Sequence, residues 1–91
     1  MIAEITPTEF ARRRDAGDDV VLLDVREPFE IAIAAAPGAL CIPMAEVPGR
    51  LDEIDRQKEI VVLCRSGGRT LQGAAFLRRQ GYKRVANLSR G

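Results

Sequence analysis

Two four-residue runs, Val20-Val21-Leu22-Leu23 and Ile60-Val61-Val62-Leu63, constrain this chain more than anything else in it. Each is apolar at every position, rich in β-branched side chains and too short to be a helix of its own. A strand with one wet face alternates polar and apolar residues, so a strand without alternation is covered on both faces. Such strands belong to parallel sheets, whose crossover connections are helices laid against the two sides. The segments around the runs supply those connections. Thr6-Pro7-Thr8-Glu9 has the pattern of a capping box and predicts a helix to about Ala16, stopped by Gly17. Pro28 to Ala36 reads as a short helix, Pro37-Gly38 as a turn and Ala39 to Ile42 as a short strand ended by Pro43. Leu51 to Ile54 belong to a helix starting near Pro48, because proline is poorly tolerated farther inside. Arg69 to Gln80 reads as a helix with Leu71, Ala74, Ala75 and Leu77 inward, Gly81 as its stop and Tyr82 placed to pack back; Arg84 to Leu88 forms the last strand. The expected architecture is α/β, a central parallel sheet flanked by helices on both faces.

At 91 residues the chain makes one domain with little stability to spare. No apolar stretch approaches the roughly 20 residues of a membrane span, so no membrane association is expected. The opening MIAEITPTEF lacks the basic segment and long apolar stretch of a secretory signal, and two cysteines are not a disulfide framework; a reducing cytoplasm is the expected location. The absence of histidine removes the usual base for a Cys-His or Ser-His nucleophile. With Cys41 and Cys64 as the only soft ligands, a tetrahedral zinc site is not expected, and nothing calls for another cofactor. Charge is unevenly spread: all thirteen acids lie at or before Glu59, whereas residues 60–91 carry seven basic residues and no acid. That basic third is either a solvated surface or a field that draws an anionic ligand or an acidic partner. Aromatic residues are too few to form a base-stacking surface, so nucleic acid is not an expected partner.

The basic third contains Cys64-Arg65-Ser66-Gly67-Gly68-Arg69-Thr70, directly after the second apolar run. Ligands of open α/β sheets gather in the crevice beyond the carboxyl ends of the strands, where Cys64 falls. Gly67 and Gly68 allow a loop to curl until backbone N–H groups converge, and the following helix adds its positive end. A thiolate held there by amides, with Arg65 and Arg69 nearby, has its pKa lowered from about 8.5 into the reactive range. The nucleophile then needs no histidine. Alone, Cys64 would read as a buried thiol ending a core strand; the two glycines and two arginines favour chemistry. Cys41, between Leu40 and Ile42, has no such neighbours and is expected to pack in the core rather than to resolve Cys64.

VVLLDVREPFE, PGALCIP and IVVLCRSGGRT followed by LRRQGYKRVANL resemble, in this order and spacing, the rhodanese family of sulfurtransferases over nearly the whole chain. The resemblance implies a rhodanese-like fold in which Cys64 carries a persulfide, Arg65, Ser66, Gly67, Gly68 and Arg69 wrap it, and Thr70 starts the supporting helix. It implies a small anionic sulfur donor, such as thiosulfate, or a protein persulfide, and as acceptor cyanide, a thiol or a sulfur-carrier protein. Asp24, Arg26 and Glu27 read as an ion-pair network tying a strand end to the loop, outside the catalytic set. Two features depart from the family pattern: Ala34-Ala35-Ala36 stands where Gly-His-Ile is common, and the chain stops at LSRG where a further helix with a tryptophan usually follows. Residues 1–91 are therefore expected to be a rhodanese-like domain truncated at its C-terminus.

Two other functions fit parts of this pattern. Cysteine-dependent phosphatases resemble C-x5-R, a ring sized for phosphate, whereas Cys64 to Arg69 is C-x4-R, suited to one extra sulfur. A non-catalytic protein-binding module of the same fold is the other alternative.

Overall fold

The computed structural model describes residues 2–63 and 67–89, with the backbone alone for residues 67–71. Both apolar runs are strands of one parallel sheet. Its strands are β1 (Ala3–Ile5), β2 (Val20–Asp24), β3 (Leu40–Cys41), β4 (Glu59–Leu63) and β5 (Val85–Leu88), in the spatial order β1-β5-β4-β2-β3. β2 and β4 pair in the middle, from Val20 opposite Glu59 to Asp24 opposite Leu63. Residues within each run divide between the faces, which explains the missing alternation. Leu23, Ile60 and Val62 join a cluster with Val25, Ile42, Val47, Ala74, Leu77 and Tyr82, whereas Leu22 and Val61 join Ile5, Phe10 and Ala86 on the other side.

Helix α1 (Pro7–Asp15) covers the second face through Phe10. The Glu9 N–H donates to the Thr6 hydroxyl oxygen at 3.0 Å, and Gly17, at φ +86°, turns the chain as expected. Helix α3 (Gly67–Arg79) and an irregular 3-10 segment (Met44–Glu53) cover the first face. Of the four residues predicted to face inward from α3, Ala74 and Leu77 are fully buried, Ala75 is half-buried and the Leu71 side chain lies outside the description. Gly73 is inward too: a Cβ there would stand 3.3 Å from Met44 Sδ and 3.6 Å from Val62 Cγ1, so glycine lets the helix approach the sheet closely.

Two local expectations are corrected, and one strand goes beyond them. The helix placed near Pro48 begins at Met44 instead, and its short 3-10 turns admit Pro48 within them. It bends at Arg50, whose guanidinium holds Glu53 at 2.7 Å and Glu46 at 3.0 Å. Helix α2 (Pro28–Ile33) stops short of Ala36: Ala34 is extended, and Pro37 disfavours helical backbone at the residue before it. β1 has no apolar run to announce it, since only Ile5 of its residues is buried; the strand exists through pairing with β5 from the far end of the chain.

Tyr82 packs back as predicted, fully buried after Gly81 at φ +94°, with Arg56 4.5 Å from its ring centre. Its hydroxyl donates to the carbonyls of Ile54 at 2.7 Å and Leu51 at 3.0 Å, tying the end of the 3-10 segment to the core. Tyr82→Phe is expected to cost about 1–2 kcal/mol in urea unfolding, the value of a buried hydrogen bond with its acceptors left behind. Burial raises the Tyr82 pKa above its ordinary value. The folded protein therefore holds the phenolic proton more tightly than the unfolded chain, and stability falls as pH rises past about 10. That component of the alkaline loss should be absent in Tyr82→Phe.

Candidate active site

The carboxyl ends of β3, β2 and β4 are laced together beyond the regular ladder. Val25 N–H donates to the Leu63 carbonyl at 3.0 Å, Ile42 N–H to Asp24 O at 3.0 Å and Met44 N–H to Val25 O at 3.1 Å. Leu63, the residue before Cys64, is thereby held in the interior of the sheet. Cys64, Arg65 and Ser66 lie outside the described residues, and the chain is described again as α3 opens at Gly67. Gly67, Gly68, Arg69 and Thr70 form the first residues of that helix, so it starts two residues before the expected Arg69. The glycines thus open the helix instead of curling a loop ahead of it. Strand end and helix start bracket the three residues 64–66, and the first-turn N–H groups of α3 have no intrahelical acceptor.

The ion pair expected between Asp24 and Arg26 is present, whereas Glu27, expected to join it, caps α2. Asp24 is completely buried, and its carboxylate accepts from Arg26 Nε at 2.9 Å, Arg26 Nη2 at 2.7 Å and the Arg26 backbone N–H at 3.0 Å. The same Nη2 donates to Ala34 O at 2.8 Å, which fastens the turn where the triple alanine replaces a polar residue. These bonds hold the Arg26 pKa above its ordinary value. Glu27 caps α2, its N–H donating to Glu30 Oε1 at 2.9 Å.

Cys41 is corrected: it is exposed, not packed in the core. β3 is a two-residue edge strand; Leu40 packs toward the first cluster, so Cys41 takes the opposite face. β2 lies between β3 and β4, which puts Cys41 about 9.5 Å, two strand spacings, from the end of β4.

The basic third is also divided. α3 runs from the carboxyl end of β4 toward the start of β5, carrying the exposed Arg78, Arg79, Lys83 and Arg84 to the end of the sheet opposite Leu63. Arg65 and Arg69 alone in this third adjoin the strand end in sequence. An apolar pair lies exposed on α2, Phe29 at 63% and Ile33 at 82%. Among the described residues, no three His, Cys, Asp or Glu side chains gather as a metal site, and no helix is long and apolar enough to cross a membrane. Sequence reasoning passes over Asn87, whose signal is a polar residue inside the otherwise apolar strand Val85–Leu88.

A parallel five-stranded α/β sheet whose central strand is followed in sequence by a cysteine, with a helix opening at Gly67, defines a class of rhodanese-fold proteins. The rhodanese-like domain model matches residues 6–91, and the chain belongs to that family. A sulfurtransferase from Allochromatium vinosum is 43% identical over 91 residues, covering all of this chain and 85% of that protein. A putative sulfur carrier protein, YrkF of Bacillus subtilis, is 37% identical over 90 residues, 99% of this chain and 49% of that protein. The structure of the human single-domain sulfurtransferase TSTD1 aligns with a TM-score of 0.79 at 26% identity, covering 97% of this chain and 89% of that one.

Proposed function

We propose that this protein is a sulfurtransferase that moves a sulfane sulfur through a persulfide on Cys64. The observation that supports the reading is the anchoring of Leu63: its carbonyl is bound by Val25 N–H at the carboxyl end of β4, and three residues in the sequence separate it from the amino end of α3. A thiolate there is stabilised by helix N–H groups without a histidine base.

The Cys64 thiolate attacks the outer sulfur of thiosulfate, an S–S bond forms as the sulfur–sulfur bond of the donor breaks, and sulfite leaves with its electron pair. The persulfide anion keeps the single negative charge of the thiolate. Cyanide or a thiolate, free or belonging to a sulfur-carrier protein, then attacks the outer sulfur, leaves with it as thiocyanate or as a new persulfide, and regenerates the Cys64 thiolate. Two half-reactions through a covalent intermediate make ping-pong kinetics. Backbone amides from Arg65 to Thr70 balance the charge in both, and Arg65 and Arg69 recognise the oxyanion end of the donor. The C-x4-R spacing favours this ring over a phosphatase site.

The test is incubation of the reduced protein with thiosulfate, followed by intact and peptide mass spectrometry. One sulfur atom gained on Cys64 and removed by cyanide is the expected result. A bare Cys64 with both thiosulfate and a protein persulfide would overturn the reading. It would favour a protein-binding module, which the exposed Phe29 and Ile33 on α2 would suit.

A further inference from the structure

Helix α3 carries an outer stripe beside the inner one that Ala74 and Leu77 bury. Gln72, Ala75, Phe76 and Arg79 stand at i, i+3, i+4 and i+7, the spacing of a single helix face. With Met44 and Pro48 of the 3-10 segment, that face lines a groove of about 350 Å³. Met44, Ala75 and Phe76 are half-buried along it, and Pro48, Gln72 and Arg79 are exposed at its borders. Alanine at position 75 leaves open the space that a larger side chain would take.

The two polar groups of the groove are free to bind something else. Among the described residues neither the Gln72 carboxamide nor the Arg79 guanidinium has a side-chain partner. No acid lines the groove, and residues 60–91 contain none. On the facing segment, Glu46 and Glu53 are both held by Arg50, at 3.0 and 2.7 Å. Arg78 stands in the same last turn of α3 but outside the groove, where it answers the negative end of the helix dipole. Arg79 therefore brings an uncompensated positive charge to an otherwise apolar surface.

We infer that this groove binds the carboxyl-terminal end of a partner protein, with apolar side chains on Met44, Ala75 and Phe76, the terminal carboxylate on Arg79 and a backbone amide on Gln72. A guanidinium pairs with a carboxylate through two parallel N–H bonds. A carboxamide both donates and accepts, which suits a peptide group, whereas the chain of a simple alkyl acid would give it nothing to bind. Length agrees as well. Seven helical residues separate Gln72 from Arg79, about 10.5 Å along the axis, which is the span of roughly three extended residues. Capture of a chain end by its carboxylate beside pockets for its last side chains is an established mode of peptide recognition. The inference stands apart from the sulfurtransferase reading, since the residues that carry it lie outside Cys64–Thr70.

The experiment is a heteronuclear NMR titration of the full chain with three probes: the acetylated tripeptide Ala-Leu-Leu with a free carboxyl end, the same peptide as its carboxyl-terminal amide, and octanoate. The free acid is expected to shift the Gln72 side-chain signal and the Ala75 and Phe76 amides, with a Kd below about 1 mM. The amide should bind about tenfold more weakly, and octanoate more weakly than the acid peptide. Arg79→Gln should bind acid and amide alike, Arg78→Gln should behave as the parent, and Ala75→Phe, which fills the groove, should abolish the shifts. Equal binding of acid and amide by the parent would overturn the inference. So would an Arg78→Gln loss equal to that of Arg79→Gln, which would reduce the effect to diffuse positive charge. Octanoate binding as tightly as the acid peptide would assign the groove to a free amphipathic acid and overturn the peptide end. Absence of shifts at about 1 mM peptide would overturn it outright. Should Ala75→Phe fail to fold, the two arginine variants, both altered at exposed positions, still decide the outcome.

Discussion

Replacing Cys64 by serine is expected to lower sulfur transfer about a thousandfold or more and to leave the urea midpoint unchanged. A serine hydroxyl is scarcely ionised near neutral pH and cannot hold a sulfane sulfur as a persulfide, so the covalent route is lost entirely. What remains is the uncatalysed reaction of donor with acceptor. Cys41 supplies an internal comparison, because it is an exposed thiol of the same chain outside the Cys64–Thr70 segment. Mass spectrometry of Cys64→Ser should find Cys41 bare after exposure to thiosulfate. Sulfur accumulating on Cys41 as fast as on the parent protein would mean that any accessible thiol suffices, and that the setting of Cys64 contributes nothing.

Arg26→Ala should be the most damaging substitution away from the thiol, at about 3–5 kcal/mol. Asp24 is wholly inaccessible, and Arg26 provides all of its side-chain donors among the described residues. Removing the guanidinium leaves a buried carboxylate with one backbone N–H. Against a total stability of about 5–15 kcal/mol for a domain of this kind, that loss brings the protein near unfolding. The pair itself need not be a net source of stability, since replacing both partners by apolar residues is often close to neutral. Asp24→Leu combined with Arg26→Met is therefore expected to recover most of the urea midpoint. A loss below about 1 kcal/mol for Arg26→Ala would place this pair with exposed ion pairs. Because Asp24 lies opposite Leu63 and Arg26 also fastens the turn at Ala34, the single variant should lose sulfur loading as it loses stability.

The parts of the fold legible in the sequence are those governed by short-range physics. Thr6 and Pro7 start α1, Gly17 and Gly81 end helices at positive φ, and the runs at Val20 and Ile60 declare two-sided burial. Each depends on residues within a few positions or on a uniform pattern. The site was legible in part, because a cysteine after a buried strand with glycines at a helix start needs no distant partner to be noticed. The Asp24–Arg26 ion pair was legible for the same reason, being a contact between residues two apart.

What the chain order alone left open depended on partners far away along it. β1 is a strand because Ala3, Glu4 and Ile5 meet Ala86, Asn87 and Leu88, a pairing that no local preference announces. Cys41 stands among apolar neighbours in sequence yet emerges exposed, because its two-residue strand falls at the sheet edge. The seven basic residues of the last third look like one field until α3 carries four of them to the opposite end of the sheet. Asn87 is an ordinary polar residue until the ladder sets it beside Val62 under α3, where burial leaves its oxygen unpaired. The sequence by itself determined the parallel sheet and the family, and singled out the thiol that the proposed function uses, since backbone preference and burial pattern act over a few residues. Only the tertiary structure decided which side chains share an end of the sheet, because that depends on strand order and helix direction, which bring together residues remote along the chain.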